Sequence, residues 1–165
     1  MAKDQSFDVV SQVDMQEVDN AVQQASKELV QRYDLKDTGA TITLDKAAAA
    51  ITVTSPSDFT FKQVQDVLET KLVRREIELK AVTWGKLESA TGDSVRCTGT
   101  IVNGIDQEIA RKINKDIREQ KYKVKVQIEG DKVRVSSASR DELQTVITFL
   151  KAADYGIPLQ FNNYR

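Results

Sequence analysis

Positively charged side chains recur along three predicted strands in the second half of the sequence. Strands over residues 95–102, 123–129 and 132–136 alternate apolar with polar residues, so the polar residues share one face of a sheet. These outward residues are five cations and four neutral polar residues, without an acid: Arg96, Thr98, Thr100, Lys123, Lys125, Gln127, Lys132, Arg134 and Ser136. Because cations and hydroxyl groups bind phosphate oxygens, the pattern indicates a surface for a phosphate-containing ligand. The alternative is a sheet that lysines keep soluble.

A second group of candidate binding residues follows the first predicted helix, in the segment Arg32-Tyr33-Asp34-Leu35-Lys36. Arg32 or Tyr33 could lie against a nucleobase, with Lys36 near a phosphate, which would make the segment the lip of a nucleotide pocket. The alternative is a helix C-terminus where cations offset the helix dipole. The nucleotide-binding candidates are therefore Arg96, Lys123, Lys125, Arg134, Arg32 and Lys36.

The absence of histidine removes the side chain on which most general acid–base and nucleophilic catalysis depends near neutral pH. Cys97 is the single cysteine, so it has neither a disulfide partner nor the ligands of an ordinary zinc site, and its place in an apolar alternation predicts a core residue. Three aspartates, Asp14, Asp106 and Asp141, stand at predicted helix starts, where capping explains them. Neither a P-loop nor a dinucleotide-binding glycine motif is present. We expect a binding protein without catalysis, metal or cofactor.

Composition and charge restrict the partners further. The 165 residues are 40 % hydrophobic and 30 % charged, which is typical of a globular protein with a packed core. No apolar run reaches the roughly 20 residues of a membrane span, and the first residues lack an apolar secretion segment, so we expect a cytosolic protein without membrane contact. The net charge is −4 over residues 1–90 and +3 over residues 91–165, which favours the second half as the site for a polyanion.

The predicted elements form the series β-α-β-β-α-β twice. Strands are predicted over 7–13, 41–44, 51–54, 81–87, 95–102, 123–129, 132–136 and 159–161, with helices over 15–31, 58–75, 105–117 and 140–150. Residues 51–57 match residues 133–139 without a gap, and the apolar spacing of the next helix keeps this offset of 82.

This duplication predicts an α+β protein made of two ferredoxin-like (RNP-like) βαββαβ units in tandem, over residues 1–90 and 91–165. Each unit is expected to be a four-stranded antiparallel sheet with two helices on one face, and the closing strands could be exchanged between units. The strands lack the stacking aromatics of an RNA-recognition sheet, and Phe7 is expected in the core.

Several segments, read in order along nearly the whole chain, resemble the bacterial YajQ family. They are 7–14 (Phe-Asp-Val-Val-Ser-Gln-Val-Asp), 32–36, 57–59, 104–106, 133–135, 139–144 and the tail Leu-Gln-Phe-Asn-Asn-Tyr-Arg at 159–165. The resemblance implies tandem RNP-like domains and a cytosolic nucleotide-binding protein, with family members connected to nucleic acid and cyclic di-GMP. The chain has Tyr33-Asp34-Leu35-Lys36-Asp37 where the family commonly reads Phe-Asp-Phe-Lys-Gly, and it has Ser137-Ala138 in place of Gly-Lys. The missing lysine weakens any phosphate site assigned there.

Two functions are left open by the sequence. The first is a regulatory protein that binds cyclic di-GMP, GTP or RNA without catalysis. The second is an interaction adaptor whose open sheets contact a transcription factor or another protein partner.

Overall fold

The computed structural model describes residues 4–165, which divide into two compact units. The central unit comprises residues 13–102, and the C-terminal unit comprises residues 103–165 together with the segment that ends at Gln12. Both units contain helices and an antiparallel sheet, so the α+β class is confirmed. No helix within the described residues is long and apolar enough to cross a membrane.

Residues 4–165 contain nine strands and four helices. In chain order they are β1 (Gln5–Val10), α1 (Met15–Gln31), β2 (Thr41–Asp45), β3 (Ala50–Ser55), α2 (Asp58–Arg74), β4 (Val82–Trp84), β5 (Glu88–Ala90), β6 (Ser94–Ile101), α3 (Gln107–Glu119), β7 (Lys125–Glu129), β8 (Lys132–Ser137), α4 (Arg140–Ala152) and β9 (Gln160–Asn162). Short 3₁₀ turns at Leu79–Ala81 and Thr91–Asp93 flank β4 and β5.

The central unit has the strand order β2-β3-β6-β4, with β5 also paired to β6. Helix α1 begins after Asp14, whose carboxylate accepts a hydrogen bond from the backbone N–H of Gln16, as expected of a capping residue. Its apolar residues recur at intervals of three and four and are buried, as the spacing predicts. The buried residues of α1 are Val18, Ala21, Val22, Ala25 and Leu29.

The C-terminal unit has the strand order β7-β8-β1-β9. Asp106 and Ser139 cap α3 and α4 by accepting backbone hydrogen bonds, and the isoleucines Ile113 and Ile117 of α3 are buried. Strands β7 and β8 form a hairpin at Gly130, where φ is 61°, a value that glycine adopts without a steric penalty. The unit therefore runs β-α-β-β-α-β in chain order; its ferredoxin-like classification stays a prediction.

The domain boundary expected at residues 90 and 91 is corrected by the pairing of two strands. Strand β1 was assigned to residues 1–90, but it pairs with β8 and β9 of the C-terminal unit. Strand β6 was assigned to residues 91–165, but it pairs with β3 and β4 of the central unit. The two strands fill equivalent places: β6 lies beside β3, and β1 lies beside β8, which corresponds to β3 at the offset of 82 residues. The sequence predicts that the closing strand of each unit could be exchanged between the units. In the structure the leading strands, β1 and β6, are the ones that belong to the other unit.

Side-chain complementarity explains which strand enters which sheet. In the C-terminal unit Asp8 lies opposite Arg134, while the matching pair in the central unit is Thr98 opposite Thr52. Val9 in the C-terminal unit corresponds to Gly99 in the central unit. A Cβ atom at Gly99 would come within 2.7 Å of Val82 Cγ1, so β1 could not replace β6 without displacing that side chain.

Cys97 is buried in the core of the central unit, as its strand position predicts. It is 2 % exposed, and its Sγ donates a hydrogen bond to the carbonyl oxygen of Gly85 at 3.3 Å. Burial raises the pKa of the thiol above its ordinary value, with a further contribution from the carboxylate of Glu88. We expect Ellman's reagent to modify the thiol at pH 7.5 only after denaturation in urea. Stoichiometric reaction of the native protein within minutes would contradict this burial.

Candidate functional site

The structure divides the predicted phosphate-binding face between the two units. Arg96 lies on β6 in the central unit, where its Nη2 atom is 3.8 Å from Glu88 Oε2. Lys123, Lys125 and Arg134 belong to the C-terminal unit. The expectation that one sheet face carries all of these cations was therefore wrong, because β6 is not part of the sheet that contains β7 and β8.

The open face of the C-terminal sheet is also not free of acids. Strand β1 brings Asp8 to this face, and its carboxylate is 1 % exposed. Arg134 Nε donates to Asp8 Oδ1 at 3.0 Å, while Lys132 Nζ and Asn163 Nδ2 reach Oδ2 at 3.4 and 2.8 Å. Arg134 Nη1 also lies 3.5 Å from Glu129 Oε1. Arg134 and Lys132 therefore compensate a buried carboxylate.

Burial by itself would raise the pKa of Asp8. The hydrogen bonds from Arg134, Asn163 and Lys132 outweigh it, so the pKa of this carboxyl is held below its usual range. The aspartate is consequently ionised at neutral pH, and the network balances charge inside the sheet.

Arg32 and Lys36 lie in the central unit, in the segment that follows α1. Arg32 Nε is 2.8 Å from Asp34 Oδ1, and Arg32 Nη1 is 3.7 Å from Glu28 Oε2. Lys36 Nζ lies 5.8 Å from the centre of the Tyr33 ring, and that ring is 90 % exposed. This segment therefore holds an exposed aromatic next to cations, with Arg32 already paired to carboxylates.

A stronger cationic region lies on α3 and the segment that leads into β7, and the sequence reasoning missed most of it. Residues 111–125 contain seven cations and two acids. Arg111, Lys115 and Arg118 are spaced by four and three residues, which places them on one side of α3. Another side carries Asp116, which accepts a 2.8 Å hydrogen bond from the Tyr155 hydroxyl.

Two adjacent depressions follow this cationic side of α3. The first is a groove of ≈ 380 Å³ lined by Arg111, Asn114, Lys115, Arg118 and Glu119. The second is a pocket of ≈ 290 Å³ between α3 and β7, lined by Ile117, Arg118, Tyr122, Val124, Lys125 and Val126. Because Arg118 lines both, we treat them as one surface and call it the α3–β7 site.

The α3–β7 site combines an aromatic ring, an apolar floor and cations. The Tyr122 ring packs edge-on against Phe149, with ring centres 5.9 Å apart, which fixes its position at the pocket. Within residues 4–165, Arg111, Arg118 and Lys125 have no carboxylate within ion-pair distance, and Lys115 has one only at 4.0 Å, from Glu119. The cations are therefore available to a ligand.

Asn114 also lines this groove, and its side-chain oxygen is buried without a hydrogen-bond partner among the described residues. Since that oxygen has no access to solvent, the groups that the site offers to a ligand are the cations and Tyr122.

A larger groove in the central unit is a weaker candidate. It has a volume of ≈ 590 Å³ and runs between α1 and α2, with four cations and three glutamates in its lining. Two of these cations are already paired, Lys71 with Glu28 at 3.0 Å and Arg75 with Glu17 at 3.2 Å. Its charges largely cancel, whereas those of the α3–β7 site do not.

The spacing of basic residues on α3 was a usable signal. Alternation defines one face of a strand, whereas the residues on one face of a helix recur at intervals of three and four. These intervals group Arg111, Lys115 and Arg118, which precede the predicted Lys123 and Lys125 in the sequence. Tyr122, between these two groups in the sequence, gives the aromatic that the strands lack.

Comparison with known proteins agrees with the resemblance read from the sequence. A family model described as "Nucleotide-binding protein YajQ-like" matches residues 5–165. A "Nucleotide-binding protein" of Heliobacterium modesticaldum is 50 % identical over 165 residues, covering 100 % of this chain and 99 % of the relative. Relatives of the same name from Desulforamulus reducens and Chloroherpeton thalassium are 48 % and 47 % identical, over 100 % and 97 % of this chain and 99 % and 97 % of their own lengths. The chain therefore belongs to the YajQ family.

Proposed function

We propose that this protein binds a nucleotide through the α3–β7 site of its C-terminal unit and does not transform it. The observation that carries the proposal is the pocket between α3 and β7, where Tyr122 and an apolar floor adjoin Arg118 and Lys125, two cations that form no ion pair within residues 4–165. An aromatic ring and apolar side chains suit a base, and guanidinium and ammonium groups suit phosphate. The names of the relatives support the same ligand class.

Of the sequence candidates, Lys125 stays in the proposed site, and Arg111, Lys115, Arg118 and Tyr122 join it. The remaining sequence candidates, Arg96, Lys123, Arg134, Arg32 and Lys36, stay predictions for contacts outside this pocket. Arg134 is the weakest of them, since its guanidinium is engaged by Asp8 and Glu129.

The ligand we propose is cyclic di-GMP, GTP or RNA, bound for regulation in the cytosol. The surface offers one aromatic pocket followed by a line of cations, which would accept a base in the pocket and phosphates along α3. RNA binding would release counterions at several phosphates and weaken steeply as salt increases, whereas a mononucleotide would show a smaller dependence. A titration with each ligand at two salt concentrations distinguishes these classes.

The decisive experiment is charge reversal at the pocket. We expect Arg118→Glu with Lys125→Glu to weaken binding of the preferred ligand by about 100-fold or more, because each lost charge-assisted hydrogen bond contributes roughly 1.5–3 kcal/mol. The matched control is Lys46→Glu with Lys86→Glu, which changes the net charge equally at two exposed cations of the central unit outside the α1–α2 groove. Isothermal titration calorimetry measures both.

Equal affinity of the pocket variant and the wild type would reject this site. If both charge-reversal variants weaken binding alike, then the affinity comes from general electrostatic attraction and not from a specific pocket. If none of the three ligands binds, the adaptor alternative gains support, and co-precipitation of a protein partner with and without cyclic di-GMP becomes the next measurement.

A further inference from the structure

Helix α2 of the central unit exposes apolar side chains on its outer side. Phe59 is 73 % exposed and Val73 is 55 % exposed, and Leu79 in the turn after the helix is 43 % exposed. Val73 and Leu79 line one depression at the end of the helix, whereas Phe59 lies near its beginning. An exposed apolar patch with polar residues around it is typical of an interaction surface.

These residues belong to one stripe along the helix. Phe59, Lys62, Asp66, Glu69 and Val73 follow one another at alternating intervals of three and four residues, which is the spacing of a single helix face. From Phe59 to Val73 the stripe is about 21 Å long at the rise of an α-helix. We call these five residues, with the segment Glu76–Lys80 that follows, the α2 outer surface.

The α2 outer surface ends in a shallow depression. Its volume is ≈ 500 Å³, and its lining is Val73, Glu76, Ile77, Glu78, Leu79 and Lys80. Val73 and Leu79 give it exposed apolar walls, so an apolar side chain of a partner would lose contact with water there.

The charge of this surface is mainly negative. It carries the four acids Asp66, Glu69, Glu76 and Glu78 and the two cations Lys62 and Lys80. None of the four carboxylates forms an ion pair within the described part of the chain. The cations Lys71 and Arg74 of the same helix line the α1–α2 groove, and Glu76 lines both that groove and the depression.

Among these acids, Glu69 has a carboxyl group whose ionised form is disfavoured by its surroundings. Its partial burial raises the pKa of its carboxyl, and the neighbouring Asp66 raises it further. A cation placed between the two carboxylates would relieve the repulsion and compensate the burial.

We propose that the α2 outer surface is a docking site for a basic amphipathic helix from a protein partner. Apolar residues at one end of such a helix would cover Val73 and Leu79, and an apolar residue at its other end would cover Phe59. Its lysines or arginines would meet Asp66 and Glu69, which lie between these two ends. The site lies in the central unit and shares no residue with the α3–β7 site, so either proposal can fail without the other.

The test uses the full-length ¹⁵N-labelled protein and a designed peptide of about 14 residues, the length that spans the stripe as a helix. The probe is an amphipathic leucine–lysine helix, and its counterpart replaces every lysine with glutamate. We expect the leucine–lysine peptide to shift the amide signals of residues 59–80 in two-dimensional NMR spectra, and the leucine–glutamate peptide to leave them unchanged.

Substitutions locate the contact. Val73→Ser should weaken the leucine–lysine peptide roughly tenfold, the loss expected for one buried valine. The matched control is Val30→Ser, because Val30 is also an exposed valine on a helix of the central unit, 69 % exposed on α1. Asp66→Lys with Glu69→Lys should abolish the shifts. These three variants replace only exposed or partly exposed residues. Trp84 fluorescence verifies that the central unit of each variant stays folded.

The proposal is overturned if the leucine–lysine peptide shifts other residues instead, if Val73→Ser and Val30→Ser behave alike, or if both peptides bind equally. It is also overturned if sedimentation shows that the free protein self-associates and that Val73→Ser abolishes this association. In that case a second copy of the chain, rather than a partner protein, covers the surface.

Discussion

Replacing Asp8 with alanine is expected to destabilise the C-terminal unit by about 3 kcal/mol, because removing one partner of a buried ion pair leaves the others uncompensated. The carboxylate is 1 % exposed and is held by Arg134, Lys132 and Asn163. Its loss also removes the feature that favours β1 in this sheet. Urea denaturation followed by far-UV circular dichroism, with hydrogen exchange at the amides of β1 and β8, measures the change.

The pH dependence of stability follows from the same network. The pKa of Asp8 is lowered below its ordinary value of 3.8 in the folded chain, so its contribution is complete above pH 3.8 and is lost as the pH falls through the folded pKa. We expect the wild type to lose stability on acidification in this range, and Asp8→Ala to lose less. Asp37→Ala, at an exposed position, is the control. A control as unstable as Asp8→Ala would contradict a specific role for the network.

Introducing valine at Gly99 is expected to destabilise the central unit by about 3 kcal/mol, at the upper end of the cost of overpacking a core. A Cβ at this position lies 2.7 Å from Val82 Cγ1 and 3.0 Å from Cε3 of Trp84, both on the neighbouring strand β4. Val82 is short, branched and 7 % exposed, so it has little freedom to move. The fluorescence of Trp84, the single tryptophan, reports unfolding of this unit.

The steric origin of this effect can be separated from a general loss of β structure. Gly99→Ala should cost less than valine, and the double variant Gly99→Ala with Val82→Ala should recover part of the loss, because the contacted methyl group is removed. If Val82→Ala instead adds its full cost to that of Gly99→Ala, then the close contact between the two strands is not the cause.

Local structure could be predicted because its signals are local. The apolar spacing of Val18, Val22 and Leu29 defines a helix face within a few turns, and Asp14, Ser57 and Ser139 cap helices through hydrogen bonds to nearby N–H groups. Strand alternation likewise located β3 and β8, and their offset of 82 showed the duplication. The short strand β5 was missed, since three residues carry no measurable period.

The candidate site was predicted only in part. Of the proposed site, Lys125 was a sequence candidate because it stands on a predicted strand, whereas Arg111, Lys115 and Arg118 required the faces of α3 to be compared. Arg134 was expected on an acid-free surface, yet it binds Asp8, which is 126 residues away in the sequence. An acid from a distant strand cannot be counted until the strand pairing is known.

Local sequence patterns were enough to predict the order of the helices and of every strand except β5, the duplication and the lack of histidine-dependent catalysis, and sequence motifs indicated the family. Strand pairing in the folded chain was needed to show which sheet receives β1 and which receives β6. Both strands have the length and alternation to fill the same place beside β3 or β8, so the local pattern does not distinguish them. The choice depends on contacts between strands within each sheet. In the C-terminal sheet the carboxylate of Asp8 is compensated by Arg134, and in the central sheet Val82 leaves no room for a side chain at position 99. Such contacts join residues far apart in the chain, and these same contacts set which cations remain free to bind phosphate.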